Sequence, residues 1–150
     1  MTLKEFKKVM FEIECASTDF PYPVKINYSD KKANALTRCI LDYFNIYLKS
    51  QAERINNTGM YREKWLIDPI TNKKIKKQGK GIWSKGTGTN GTADISAMHK
   101  GKSFKIEVKI GKDRQSEEQK KYQDSIEKNG GIYMIARNWE QFYTDIQKYI

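Results

Sequence analysis

The stretch GTADISAMHKGKSFKIEVK, residues 91–109, decides the fold. In its second half Phe104, Ile106 and Val108 alternate with Lys105, Glu107 and Lys109, and Ile110 continues the apolar set. Period-2 alternation marks a half-buried strand, because successive side chains point to opposite faces of a sheet. The first half offers a partner strand, and Lys100-Gly101 suits the turn between them. The prediction is a hairpin of residues 92–98 with residues 103–110. With the turn centred on Lys100-Gly101, paired residue numbers sum to 201. Ile95 then meets Ile106 and Ala97 meets Phe104 on one face, while Asp94 lies across from Glu107 on the other. A one-residue slip would send every side chain to the wrong face, so the register rests on this turn.

Directly opposed residues have Cβ atoms about 4.5–5.5 Å apart, and like charges at that distance destabilise the pair. Two opposed carboxylates persist when something positive lies between them. A divalent cation with oxygen ligands fits, since Mg²⁺ uses one or two carboxylates together with waters and substrate phosphates. The alternative is that Lys109, on the same face as Glu107, is the only neutraliser. The acid-x-lysine tripeptide carries little by itself: it begins at Glu5, Asp30, Glu107 and Glu118 in a chain with 23 lysines. Only Glu107-Val108-Lys109 lies on an alternating strand, where residues i and i+2 share a face. No thiolate or imidazole metal site competes. His99 is the single histidine, expected on the surface at a strand end, and Cys15 and Cys39 have no ligand spacing and read as buried reduced thiols.

Outward from the hairpin, Leu3, Phe6, Val9, Met10 and Ile13 predict a helix over residues 2–14, closed off by Pro21 and Pro23. Ser29 or Asp30 is the expected cap of a second helix over residues 31–50, with a short strand near 52–55 after it. Residues 61–83 read as a basic hairpin turning at Asp68-Pro69. Ser116-Glu117-Glu118-Gln119 is a capping-box opening for a helix to about Lys128, ended by Asn129-Gly130-Gly131. A strand over residues 132–136 and an amphipathic helix over residues 139–150 complete a single α/β domain of 150 residues, in which helices flank a mixed sheet. No apolar run is long enough to span a membrane. The opening 14 residues mix lysines and acids with apolar positions, unlike a secretory signal, so a cytoplasmic protein is expected.

The charge is uneven. Residues 62–112 hold 13 Lys and Arg against four acids, out of a whole-chain net of +10. Such a block suits a polyanion, because neutralising phosphates releases condensed counterions. The plain alternative is a solvated lysine surface. Lys73, Lys74, Lys76, Lys77, Lys80 and Lys85 are the candidate phosphate contacts.

The order Gly91-Thr92-Ala93-Asp94, then Ile106-Glu107-Val108-Lys109, then Gln115-Ser116-Glu117-Glu118-Gln119 resembles the VRR-NUC branch of the PD-(D/E)XK nuclease superfamily. Asn129-Gly130-Gly131 and the strand to Ala136 are similar to that pattern's closing turn and strand. The likeness spans about residues 86–137. It implies a restriction-endonuclease-like core over about residues 31–137, with the two terminal helices and the basic hairpin as additions. It implies Mg²⁺, with Mn²⁺ substituting, held by Asp94, Glu107 and the Val108 carbonyl. Lys109 would position or activate the attacking water, and Gln119 would orient the lysine or the water, although Gln119 is also where a capping box places a glutamine. Ser116 joins the candidate DNA contacts, and Gly86, Gly88 and Gly91 would let their loop approach a DNA backbone or serve only as turn residues. The substrate implied is DNA, branched in the manner of a Holliday junction, cut by a homodimer of bacterial or phage type. Ala93 stands where the family has proline. The family's acid early in the first core helix is missing from residues 32–37, leaving Asn34 as a neutral oxygen donor and Asp30 or Asp42 as substitutes. A non-cleaving DNA-binding module on the same fold is the alternative, and a sequence-specific nuclease would need a readout element that the sequence does not display.

Overall fold

The computed structural model describes residues 1–17, 27–56, 59–84 and 88–150, with the backbone alone for residues 60 and 76–80. The chain divides into two compact units, residues 1–55 with 91–150 and residues 56–90. The proline segment expected after the first helix lies outside the described residues.

In chain order the elements are α1 (Leu3–Ser17), α2 (Ala33–Asp42) running into a π-helical turn (Tyr43–Tyr47), β1 (Gln51–Arg54), β2 (Met60–Ile67), β3 (Lys74–Ser84), β4 (Ile95–His99), β5 (Lys102–Val108), α3 (Glu117–Lys128), β6 (Ile132–Ala136) and α4 (Trp139–Ile146). The first unit is a mixed α/β fold built on a four-stranded sheet in the order β1-β4-β5-β6. β5 and β6 are parallel, and the other neighbours are antiparallel.

The central hairpin has the register that the sequence predicts. Ile95 pairs with Ile106, and Ala97 with Phe104. Its turn places Lys100 at φ 47° and Gly101 at φ 76°. Two consecutive left-handed residues are what a two-residue hairpin with the right twist requires. Phe104, Ile106 and Val108 face a core made with Phe6, Leu36, Ile40, Tyr43, Phe44, Trp139 and Phe142. The Phe6 and Trp139 rings stack at 4.1 Å there. The opposite face of the sheet is open to water at Met98 and Ser103, as a half-buried strand leaves it, and closes only at the far end of β5. Glu107 is 3% exposed and Lys109 7%. α3 lies over this face, with Tyr122 meeting Tyr133 of β6 edge-on at 6.3 Å.

Several local expectations are corrected. Lys32 stands in the N-cap position of α2, with no side-chain cap hydrogen bond. Asp30 instead accepts the backbone N–H of Trp139 at 3.2 Å, tying α4 to the segment before α2. Cys15 is exposed near the end of α1, and only Cys39 is buried. His99 is buried, because β1 runs alongside β4 and the segment entering it brings the Ser50 hydroxyl 2.5 Å from His99 Nδ1.

β6 is an edge strand, and α4 covers part of its open side. The Gln141 side-chain amide donates to the Ile135 carbonyl at 3.1 Å and accepts from the Arg137 N–H at 2.9 Å. One amide group thus occupies the place of a neighbouring strand's peptide, and Asp145 holds it there.

The second unit is an antiparallel pair, β2 with β3, in which Tyr61 pairs with Trp83, Trp65 with Lys76 and Ile67 with Lys74. Its turn is fastened by Asp68, whose carboxylate accepts from Ile70 N–H at 2.9 Å and from the Thr71 hydroxyl at 2.6 Å. This is the basic hairpin read at residues 61–83.

Candidate active site

Asp94 immediately precedes β4, and its carbonyl accepts the Ile55 N–H at 2.8 Å beyond the end of β1. Its side chain reaches across the hairpin end, where Oδ2 accepts the Val108 N–H at 2.9 Å. Asp94 is therefore fixed to the same strand as Glu107. Glu107 Oε1 accepts from Gln119 Nε2 at 2.5 Å and lies 3.1 Å from the Lys109 ammonium. Four residues separated by up to 25 positions thus converge at one end of the sheet.

The convergence has a local cause in α3. Ser116 accepts the Gln119 N–H at 3.2 Å, and the Gln119 side-chain oxygen accepts the Ser116 N–H at 2.9 Å. The capping box uses the amide oxygen and leaves the amide nitrogen to Glu107, so Gln119 serves both as a cap and as a partner of the buried carboxylate. It contacts Glu107 rather than Lys109. Gly91 sets how closely α3 approaches. It sits at φ +77°, and a Cβ there would fall 2.4 Å from the Glu118 carbonyl carbon. The close approach served by this glycine is thus to the backbone of α3 within the protein.

Electrostatics at the site are under tension. Burial raises the Glu107 pKa above its ordinary value, and the like charge of Asp94 raises it further, against the pull of Lys109 and Gln119. For Lys109, burial disfavours the charge, but Glu107 and Asp113 outweigh it and the ammonium titrates above its usual value. Asp113, 3.4 Å from Lys109, is a partner that strand alternation does not reveal, since it lies beyond the strand in the following loop. Tyr133 is a second addition. Its phenol is pushed up to about 12, chiefly by burial, with Glu107 and Asp94 among the further causes.

The donor set can be tested for a hard divalent cation. Glu107 Oε2 is buried and has no hydrogen-bond partner among the described residues. A buried carboxylate oxygen in that state is costly and calls for a partner such as an ion. Asp94 keeps one oxygen free of the Val108 hydrogen bond, and the Val108 carbonyl is adjacent in sequence. Among the described residues no three His, Cys, Asp or Glu side chains cluster. Two carboxylates with a carbonyl suit Mg²⁺ or Mn²⁺, which complete their shells with water and phosphate, and do not suit zinc. The residues fit the cation, and Asp94, Glu107 and Val108 would hold it.

Other candidates are placed elsewhere. Asn34, in the first turn of α2, accepts from the Arg54 guanidinium at 2.9 Å. Asp42 accepts from the Tyr28 hydroxyl at 2.9 Å. With Asp30 engaged by Trp139, no acid of this helical region joins the four residues. Ser116 is exposed and occupied by its capping role. Lys73 and Lys74 are exposed near the hairpin turn, while Lys85 and the side chains of Lys76, Lys77 and Lys80 lie outside what is described. A cleft of 510 Å³ beside β6, lined by Tyr133, Ile135, Arg137 and Gln141 among others, includes none of Asp94, Glu107, Lys109 and Gln119. Among the described residues no helix is long and apolar enough to cross a membrane. No family model, curated protein or solved structure matches the chain.

Proposed function

We propose that the chain is a Mg²⁺-dependent deoxyribonuclease with a restriction-endonuclease-like core, hydrolysing DNA phosphodiester bonds in the cytoplasm. The observation that carries this reading is the buried Glu107, held between Lys109 and Gln119 with Oε2 unpartnered and Asp94 anchored beside it. A resting ion pair alone would leave no reason for a second negative charge there, since a neutral side-chain oxygen could accept the Val108 N–H. When bound, the cation polarises the scissile phosphate and lowers the pKa of a coordinated water. Lys109 moves from Glu107 toward the phosphate and neutralises charge that develops on its oxygens. Gln119 keeps the Glu107 carboxylate aimed while the lysine is away. The resemblance of motif order makes branched DNA the substrate, and symmetric cutting of two strands makes a two-fold homodimer the working form.

The test is cleavage of supercoiled plasmid, linear, flap and four-way DNA with Mg²⁺, Mn²⁺ or EDTA, using the parent and Glu107→Gln. Metal-stimulated cleavage that Glu107→Gln abolishes is expected. Absence of such cleavage on every substrate overturns the reading. It would favour a second one, a DNA-binding module, to which one observation already points: the Lys109 ammonium, 3.1 Å from Glu107, can by itself supply that carboxylate's counter-charge.

A further inference from the structure

The hairpin unit has a composition that phosphate contacts do not explain. Residues 56–90 carry eight Lys and Arg against Glu63 and Asp68, a net of +6, and they also hold two of the chain's three tryptophans. Tyr61 and Trp65 are 56% exposed and Trp83 is 64% exposed. These aromatic residues are sorted by face. Tyr61 pairs with Trp83, and Trp65 follows four positions along β2, on the face that alternation along this strand gives to Tyr61, past a register shift whose extra residues lie in β3. Lys76 and Lys74 are the register partners of Trp65 and Ile67. The other face pairs Leu66 with Ile75 and Arg62 with Ile82.

Two of the rings rest on glycine. A Cβ at Gly81 would fall 1.8 Å from the Tyr61 ring, and one at Gly59 would fall 2.7 Å from the Trp83 indole. Each ring occupies the space above a strand where a side chain would otherwise stand, with over half of the residue's surface still open. Flat, supported, solvent-facing rings interleaved with lysines are what unpaired bases require: a π surface to stack on and cations for the phosphates between them. A duplex presents its bases already stacked, and the net charge of +6 suits a polyanion.

We propose that the Tyr61, Trp65 and Trp83 face of the β2–β3 hairpin is a stacking platform for single-stranded DNA. The choice of DNA rests on the nuclease reading, whereas the stacking does not. The platform gives the proposed enzyme a preference for substrates with unpaired bases.

The probe is a twenty-nucleotide oligo-dT, with a duplex of equal length as control, titrated into the full chain in EDTA. Oligo-dT should quench tryptophan fluorescence, since Trp65 and Trp83 are open to it. Trp83→Leu should weaken oligo-dT binding about tenfold, and the triple Tyr61→Leu, Trp65→Leu, Trp83→Leu variant at least about a hundredfold, from the usual worth of base–aromatic stacking. Duplex binding and its salt dependence should not change, because every lysine remains. Trp83→Phe keeps a ring on the same strand and should keep binding near the parent's, which separates stacking from damage to the hairpin. Equal oligo-dT affinity in the triple variant overturns the proposal. So does loss of self-association by sedimentation with oligo-dT binding intact, which would assign the face to a second copy. Because EDTA silences cleavage, failure here leaves the nuclease reading standing, and failure to cleave leaves the platform standing.

Discussion

Lys109 holds two roles that one substitution can separate. Its ammonium is the counter-charge of a buried Glu107, so Lys109→Ala leaves that carboxylate near Asp94 without compensation. Breaking a buried pair in this way typically costs about 3–5 kcal/mol. The destabilisation should depend on pH with a definite sign. Glu107 already titrates above its ordinary value, so the native state holds its proton more tightly than the unfolded chain does. Stability from this residue therefore falls as pH rises from the ordinary glutamate range through the raised native value. Melting temperatures of Lys109→Ala should match the parent at low pH and drop below it above that window, and Glu107→Gln should flatten the dependence. Under conditions where Lys109→Ala is folded, cleavage should still fall at least about a hundredfold, with DNA affinity little changed. Cleavage that merely follows the folded fraction would make Lys109 structural. Asp94→Asn tests the other carboxylate. Asparagine keeps an oxygen for the Val108 N–H, so the fold should persist while Mn²⁺ affinity by calorimetry drops. Unchanged affinity would remove Asp94 from the metal site. Much of this site is legible in the sequence, because strand alternation and one turn place Asp94, Glu107 and Lys109 together. Asp113, Tyr133 and the Arg54–Asn34 pair are not, since they meet only across packed elements and no spacing rule connects them.

Among the elements, α3 is held in place by its first turn and by Gly91. Gly91→Ala would impose a left-handed conformation on a residue with a Cβ, at about 1–2 kcal/mol, and drive that Cβ into the backbone of Glu118. The expected result is a lower melting temperature and a displaced Gln119. Mn²⁺ affinity should weaken as Glu107 loses its aim, although residue 91 is not among the metal-holding residues. Ser116→Ala should cost about 1 kcal/mol through removal of the cap and produce a milder form of the same defect. Equal Mn²⁺ affinity in both variants would show that α3 does not organise the site. The hairpin of β4 and β5 is legible because its turn chemistry and apolar alternation agree. The end of α3 is legible for a similar reason: Gly130 and Gly131 donate to the Glu127 and Ile126 carbonyls as a left-handed cap does. The start of α2 is not. Ser29 and Asp30 are both good capping residues in isolation, but Asp30 is drawn to Trp139, 109 positions away. Tertiary demand outweighs local preference there, as it does for His99, whose burial depends on a strand added from elsewhere in the chain.

For the whole molecule, charge predicts how binding responds to salt. Neutralising Lys73, Lys74, Lys76, Lys77 and Lys80 should flatten the log–log salt dependence of DNA affinity by about 0.9 for each phosphate that the protein no longer neutralises. An unchanged slope would make these lysines solubilising only. The division into two units is only partly visible in the sequence, where composition marks the basic hairpin but no local pattern separates it from the rest. Gln141 leads to a different kind of consequence. An open β-strand edge is a template on which further chains can add, and proteins blunt such edges. β6 is apolar along its length, and its outward peptide groups at Ile135 and Arg137 are answered by one side-chain amide. Gln141→Leu keeps the bulk of α4 but removes that answer. The damage should emerge less in the monomer's melting temperature than in its colloidal behaviour: light scattering that grows with protein concentration, a lag before turbidity, and seeding by preformed aggregate. A single glutamine, remote from any chemistry, would then set the concentration at which this chain can be stored.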